Sequence, residues 1–342
     1  MSPNHFCSLA LTALLIPAGI ASAQGTHAFQ VDTSSSSLTA SGRIQIFPLP
    51  VFIPWTGSPA SFSPTGAADL QLTVASGAAT SGQFVEGSVI SIPTITASTV
   101  AGSIEARGIQ VDLISVDPGT LAPASFSVDG AGNFTTSVIA EVVAGEVEVT
   151  IVGSRIVDLA GSTTAPESVS GTIVPTADGF RLSMPLDLDW AISDPVLGNG
   201  DFDLDGTLTH EWRPLNSDIQ SVSAGTGGTQ SLLLSTGGVL PSNLYLVMGS
   251  LSGTSPGTPL GSVFLPLNFD AFTQLTLLVP GVPPFVNTLG TLDAAGKANA
   301  AIALPAFPSL AGVTFHFAYV VLDGSMGSIG FASNAEPLTV TP

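Results

Sequence analysis

The stretch Arg181-Leu-Ser-Met-Pro-Leu-Asp-Leu-Asp-Trp-Ala-Ile192, with Gly200-Asp-Phe-Asp-Leu-Asp-Gly-Thr-Leu-Thr-His-Glu-Trp212 after it, decides the fold. Leu182, Met184, Leu186, Leu188, Trp190 and Ile192 take every second place in the first arm, and Phe202, Leu204, Leu208, His210 and Trp212 do so in the second. Strand side chains alternate between faces, so this period of two sets the apolar residues on one side of a sheet. Asp187, Asp189, Asp201, Asp203 and Asp205 fall on the other side. The reading is one long antiparallel hairpin, turning within residues 194–200, whose apolar face belongs to a core. It predicts that Leu186, Leu188, Trp190, Phe202 and Leu204 are buried and that the five aspartates are exposed.

Outward from the hairpin the same grammar continues. Short runs rich in Val, Ile, Thr and Leu are broken about every ten residues by Gly, Pro, Asn or Asp, which reads as all-β. Strands are expected over residues 29–34, 38–47, 69–75, 84–92, 103–115, 125–129, 134–143, 146–152 and 168–174, with Ala144 and Gly145 as a turn. Helix is expected to be scarce, because no window pairs helical spacing with capping signals. Residues 47–64 differ: Pro48, Pro50, Pro54, Pro59 and Pro64 alternate with Phe52, Ile53, Trp55 and Phe62. Proline removes ladder donors, so this reads as a long loop or an irregular edge, either a flap packed over an open barrel end or sheet edge or a contact surface.

A polar linker is expected over residues 214–220. Beyond it, strands are expected at 230–234, 244–252, 262–278 (bent near 268–272), 296–304, 313–322 and 329–339. The organisation expected is residues 1–23 as a signal peptide, 24–217 as an antiparallel sandwich or barrel, and 218–342 as a smaller Ig-like β-sandwich. The leader rests on an apolar run at residues 9–20 followed by Ala21-Ser-Ala23. The expected location is therefore secreted or associated with the cell envelope. Cys7, the only cysteine, lies within that leader, which leaves the remainder without a disulfide or thiolate ligand.

Charged residues make up only 9% of the chain, yet acids outnumber bases 25 to 6 and the formal charge is −19. Such a field repels phosphate backbones, so a nucleic-acid partner is not expected. No apolar stretch after Ala23 reaches spanning length, so no transmembrane segment is expected. Nor are there enough aromatics for the two girdles of a membrane barrel.

The second segment opens with Gly225-Thr-Gly-Gly-Thr-Gln-Ser-Leu-Leu-Leu and continues with Leu244-Tyr-Leu-Val-Met-Gly-Ser-Leu-Ser-Gly-Thr-Ser-Pro-Gly. It then carries Gly290-Thr-Leu-Asp-Ala-Ala-Gly-Lys-Ala, Ser309-Leu-Ala-Gly and Phe331-Ala-Ser-Asn-Ala-Glu-Pro-Leu-Thr-Val. Together these resemble a C-terminal module of exported proteins of planctomycete-type bacteria, over about residues 221–342. The resemblance implies export and a separate C-terminal domain, and carries no catalytic residue with it. In the first segment, Phe29-Gln-Val-Asp-Thr-Ser-Ser-Ser-Ser-Leu-Thr is similar to the opening strand of some exported β-proteins, among them lipocalin-like barrels that hold a polyisoprenoid.

No catalytic constellation emerges. Asp201-Phe-Asp203-Leu-Asp205-Gly206 matches the start of a calcium loop, but the twelfth position, which needs a bidentate acid, is Trp212. A looser surface cation site on Asp187, Asp189, Asp201, Asp203 and Asp205 is the expectation, with calcium as the ion. Gly253-Thr-Ser255-Pro-Gly257 fits G-x-S-x-G, but Pro256 in a Gly- and Pro-rich turn contradicts the strand-to-helix elbow that motif needs. His27, His210 and His316 are scattered, without zinc spacing. The expected function is a non-catalytic structural, adhesive or ligand-binding protein with a cell-surface, polysaccharide or protein partner. Two other classes stay open. A secreted carbohydrate hydrolase needs two carboxylates facing each other in a concave pocket. An apolar-ligand barrel needs a lined internal cavity.

Overall fold

The structure is a computed structural model, and it describes residues 23–45, 51–75, 78–87, 89–100, 102–150, 153–176, 178–194, 198–261, 263–324 and 327–342. The expected leader, up to residue 22, and the turn at 195–197 lie outside the described residues.

Period-two sequence becomes strand almost throughout: 63% of the chain is strand and 4% helix, so the expected class, all-β, holds. The first segment contains β1 (Ala23–Val31), β2 (Ser37–Gln45), β3 (Phe52–Thr56), β4 (Thr65–Ala75), β5 (Ala78–Phe84), β6 (Ile90–Ser91) and β7 (Ile95–Thr99). It continues with β8 (Gly102–Val116), β9 (Phe126–Ser127), β10 (Asn133–Thr150), β11 (Ser154–Asp158), β12 (Glu167–Pro175), β13 (Phe180–Asp194) and β14 (Gly198–Trp212).

Of the two architectures expected for this segment, the barrel is the one formed. Eight strands close in the order β1, β14, β13, β12, β10, β8, β6, β4 and back to β1, all antiparallel. Strand β14 spends its two halves on different neighbours: Gly200 to Thr207 pair with β2, and His210 and Glu211 with β1. At the β2 end the wall continues through β3, a bridge from Ser58 to Thr96, and β7 onto β8. Residues 46–50 lie outside the described residues; the rest of the proline-rich stretch adds strand β3 to the barrel edge, with Trp55 and Phe62 buried and Phe52 outside.

Three expectations about strands are corrected. Residues 134–143 and 146–152 are not two strands joined by a turn at Ala144 and Gly145. Up to Thr150, with residues 151–152 outside the described residues, they are one strand, β10, whose register against β8 slips at Ala144. Gly145 has φ +133°, and a Cβ there would sit 2.6 Å from the Ile109 Cα, so a bulge needs this glycine as much as a turn would. Residues 84–92 are split into the end of β5 and the short β6. The third correction falls in the second segment, at residues 262–278.

That segment holds β15 (Leu215–Ser217), β16 (Ser221–Ser223), β17 (Gly228–Ser235), β18 (Leu244–Ser250), β19 (Thr258–Leu260), β20 (Val263–Leu265), α1 (Ala271–Leu278) and β21 (Phe285–Val286). It ends with β22 (Leu289–Thr291), β23 (Lys297–Leu304), β24 (Thr314–Asp323), β25 (Ser328–Ala332) and β26 (Glu336–Thr341). The strands form one sheet in the order β15-β17-β23-β21 and a second in the order β16-β26-β24-β18-β22, with β25 on β24. Leu232, Leu234, Phe285 and Ile302 of the first meet Phe317, Tyr319, Val321 and Leu338 of the second in one core. The expected bent strand over 262–278 is instead β20 followed by helix α1. Asp270 caps the helix by accepting from the Phe272 and Thr273 amides, each at 2.9 Å, and Thr273 returns the bond in a capping box.

The expected linker over 214–220 contains β15, and Leu215 belongs to the second core. Asn334 clamps that residue: its Oδ1 accepts from Leu215 N at 2.8 Å and its Nδ2 donates to Leu215 O at 2.9 Å. Glu336 accepts from Ser217 Oγ and faces Arg213 at 3.7 Å. The string Phe331 to Val340 therefore has a structural task, holding the chain where it leaves the barrel. The two segments also meet closely at Gly25, where a Cβ would lie 1.3 Å from Gly237 O. His27 meets Phe180 and Trp212 edge-on beside that contact, the His27 and Trp212 rings 4.5 Å apart.

Candidate functional site

The acidic face of the β13–β14 hairpin follows from its register. Asp187 lies directly opposite Asp205 and Asp189 opposite Asp203, while Asp201 faces Ala191 on one side and Arg43 of β2 on the other. The apolar set points inward as the alternation requires: Leu186, Leu188, Trp190, Phe202 and Leu204 are all buried. Asp187, Asp189 and Asp205 are exposed, whereas Asp201 and Asp203 are half-buried against β2. The motif Asp201 to Gly206 is uninterrupted strand, and its twelfth position, Trp212, is buried in the barrel, so no calcium loop forms.

Charge is balanced unevenly over this face. Asp201 accepts from Arg43 Nε at 2.9 Å and Nη2 at 2.5 Å, and the Arg43 guanidinium lies 5.9 Å from the Phe52 ring centre. The other four carboxylates have each other. Partial burial, then the charges of Asp201 and Asp189, push the Asp203 carboxyl up to about 6. Burial and the carboxyl of Asp187 likewise raise Asp205. Directly opposed like charges destabilise a sheet unless a proton, a cation or solvent relieves them. Among the described residues no group of three or more His, Cys, Asp or Glu side chains converges to hold a metal ion. Four of the aspartates lie along an open wall as two opposed pairs, and Asp201 is paired with Arg43.

Behind this face the barrel is full. Trp190, Phe202, Phe29, Phe84, Leu38, Leu70 and Leu72 fill its interior with 1% exposure or less. A hollow of about 20 Å³ remains at the hairpin end, between Trp55, Ile104, Val149 and Gly200. His27 and His210 are both buried. His27 Nδ1 lies 2.8 Å from Gly25 O, whereas neither ring nitrogen of His210 has a hydrogen-bond partner. Burial pushes His27 down to about 4 and His210 down to about 3.

A groove of about 400 Å³ crosses the outer wall of β8 and β10. It is lined by Glu86, Glu141, Ile114, Ile139 and Leu121, among others. Glu141 lies opposite Asp112, whose Oδ2 accepts from Gly87 N at 2.8 Å. Sequence reasoning did not bring these acids together, because they come from β10, β8 and the turn after β5. Ser255 of the G-x-S-x-G match is exposed in a turn, with no helix after it.

No protein-family model, no curated protein and no solved structure matches this chain. Among the described residues no helix is long and apolar enough to cross a membrane.

Proposed function

We propose that this chain is an exported, non-catalytic protein of the cell envelope or its surroundings, a barrel carrying an Ig-like sandwich, that works by binding. The observation that carries this reading is the distribution of its acids: the densest set is laid out on an open sheet face over a packed interior, with no cleft between its members. The buried side chains described for the barrel interior favour binding at the surface over an internal apolar ligand. The hydrolase reading has one observation in its favour, the groove holding Glu86 and Glu141. Phe84 is the only aromatic among its lining residues, and that ring is buried, so a sugar would find no platform there.

The test is to incubate the full chain with insoluble cellulose, chitin and isolated cell-wall material. Co-sedimentation with at least one of them, without release of reducing ends, is the expected result. Reducing ends whose release is lost in Glu86→Gln or Glu141→Gln would replace the binding reading with a hydrolase.

The hairpin face is proposed to take a divalent cation, calcium by its oxygen chemistry, across the pairs Asp187/Asp205 and Asp189/Asp203. With two carboxylates at each position the ion would keep most of its water. Millimolar calcium is expected to raise Tm relative to chelator by a few degrees, since relieving one opposed pair is worth ~1 kcal/mol. Asp203→Asn should raise Tm by a similar amount at pH 7.5 without calcium, blunt the calcium response, and have little effect near pH 5, where Asp203 is already protonated. A melting curve that calcium leaves in place would end the cation proposal.

A further inference from the structure

The second segment is nearly free of charge: between residues 219 and 322 only Asp270, Asp293 and Lys297 are charged. On a chain of net charge −19, this is where apolar matter can cover the surface with the fewest charges to desolvate. It is also where the two sheets open at one end. Phe285 of β21 and Phe315 of β24, each under 5% exposed, form a floor continuous with the core between the sheets. Phe272 of α1 packs on both, with ring centres at 5.9 and 5.0 Å. Leu275 of the helix, Leu251 and Phe307 stand up around the rim, between 45% and 53% exposed. The groove they enclose is about 490 Å³ and presents no polar surface.

We propose that this groove is a binding site for one uncharged hydrocarbon chain. Its size falls within the range of small-molecule sites. The chemistry of the occupant follows from what the lining lacks. A peptide entering it would bury backbone amides with nothing to bond, at a cost of several kcal/mol. A carboxylate or phosphate would find no cation: none lines the groove, and Lys297 is the only basic residue beyond Arg213. The nearby carboxylate, Asp270, has its oxygens taken by the amides of Leu251, Ser252, Phe272 and Thr273 at 2.8 to 2.9 Å. A second copy of this chain is the weaker occupant, since a concavity facing its own image would enclose a void instead of filling one. A chain without charge or hydrogen-bonding groups is left.

The inference rests on the reading of the chain as a binding protein and names one ligand class for it. The test uses the full chain and N-phenyl-1-naphthylamine, a neutral apolar fluorophore. Saturable enhancement is expected, weakened at least tenfold by Phe307→Asp or Leu275→Asp. These rim side chains are about half exposed, so the variants should melt as the parent does. Ile156→Asp, an equally exposed site on β11, should leave binding unchanged. Decanol should displace the dye at concentrations at least tenfold below those needed of decanoate. Equal competition by decanoate, or dye binding indifferent to the two rim aspartates, would overturn the proposal. So would a sedimenting dimer that the rim aspartates dissociate. Blank dye binding with envelope retention intact would remove the hydrocarbon ligand and leave the binding reading standing.

Discussion

Acidification from pH 7.5 to 5 is expected to lower the stability of the barrel by roughly 4 kcal/mol, because two buried histidines resist protonation. Burial depresses both groups, His27 to about 4, against an ordinary value of 6.5, and His210 to about 3. For His27 the nearby charge of Lys297 pushes the same way, and the Gly25 and Leu70 backbone partly opposes it. A depressed histidine leaves the folded state neutral while the unfolded chain takes up a proton. Stability is therefore intact above pH 6.5 and is lost as the pH falls toward the folded values. Each group costs ~1.4 kcal/mol per unit over that window. By pH 4 the loss approaches roughly 6 kcal/mol, within the whole stability of an ordinary domain.

Asp203 works in the opposite direction: its raised carboxyl gains a proton below about pH 6 in the folded state and recovers part of the loss. Glu211 is held low, first by its bond from Arg181, so its contribution disappears only below the ordinary carboxylate range and does not enter this window. Urea midpoints measured between pH 7.5 and 5 check the sum. His210→Leu separates the two histidines. It removes two buried nitrogens without partners, which should stabilise the barrel by ~1 kcal/mol or more at pH 7.5. It should also roughly halve the acid slope below pH 6.5. A slope that His210→Leu leaves unchanged would mean that this ring is hydrated or partnered in solution, and the assignment would fail.

What the sequence could show depended on whether a signal was local. The two faces of the hairpin were legible, because ten apolar residues in its two arms cannot shift by one place without all reaching solvent. Barrel closure was not. It depends on β1 meeting both β4 and β14, pairings some 40 and 180 residues apart that leave no mark at either site. Gly145 shows a subtler limit: a turn and a bulge both call for a glycine at positive φ, so the residue alone cannot choose. Helix α1 was missed although Asp270 and Thr273 spell its capping box, since the flanking apolar run also reads as strand. The apolar groove is assembled from four separate stretches, each reading as ordinary core or turn. In the acidic face the shared side was readable; the cross-strand pairs and the uneven burial of Asp201 and Asp203 were not, because they depend on how β13, β14 and β2 line up.

Trp190→Ala is expected to destabilise the barrel by ~3–5 kcal/mol, the usual range for deleting a large aromatic from a core. With Tm moving by ~2–4 °C per kcal/mol at this domain size, the melting temperature should fall by roughly 10 °C or more. Trp190 is 1% exposed, and its ring lies 6.1 Å from that of Phe202, which in turn lies 5.6 Å from Trp55. Removing it would hollow the packing between the walls of the barrel. Its indole donates to Ala140 O at 3.3 Å, but that carbonyl also accepts from Thr164 N at 3.0 Å and would not be orphaned. The loss is therefore one of packing, and Trp190→Phe, which keeps a ring, should cost less than half as much. The adjacent residue supplies the control. Asp189 points to the opposite face, into the repulsive pair with Asp203, so Asp189→Ala should be neutral or slightly stabilising at pH 7.5. If the two alanine substitutions cost the same, the alternation on which the hairpin, the barrel interior and the acidic face all rest would be wrong.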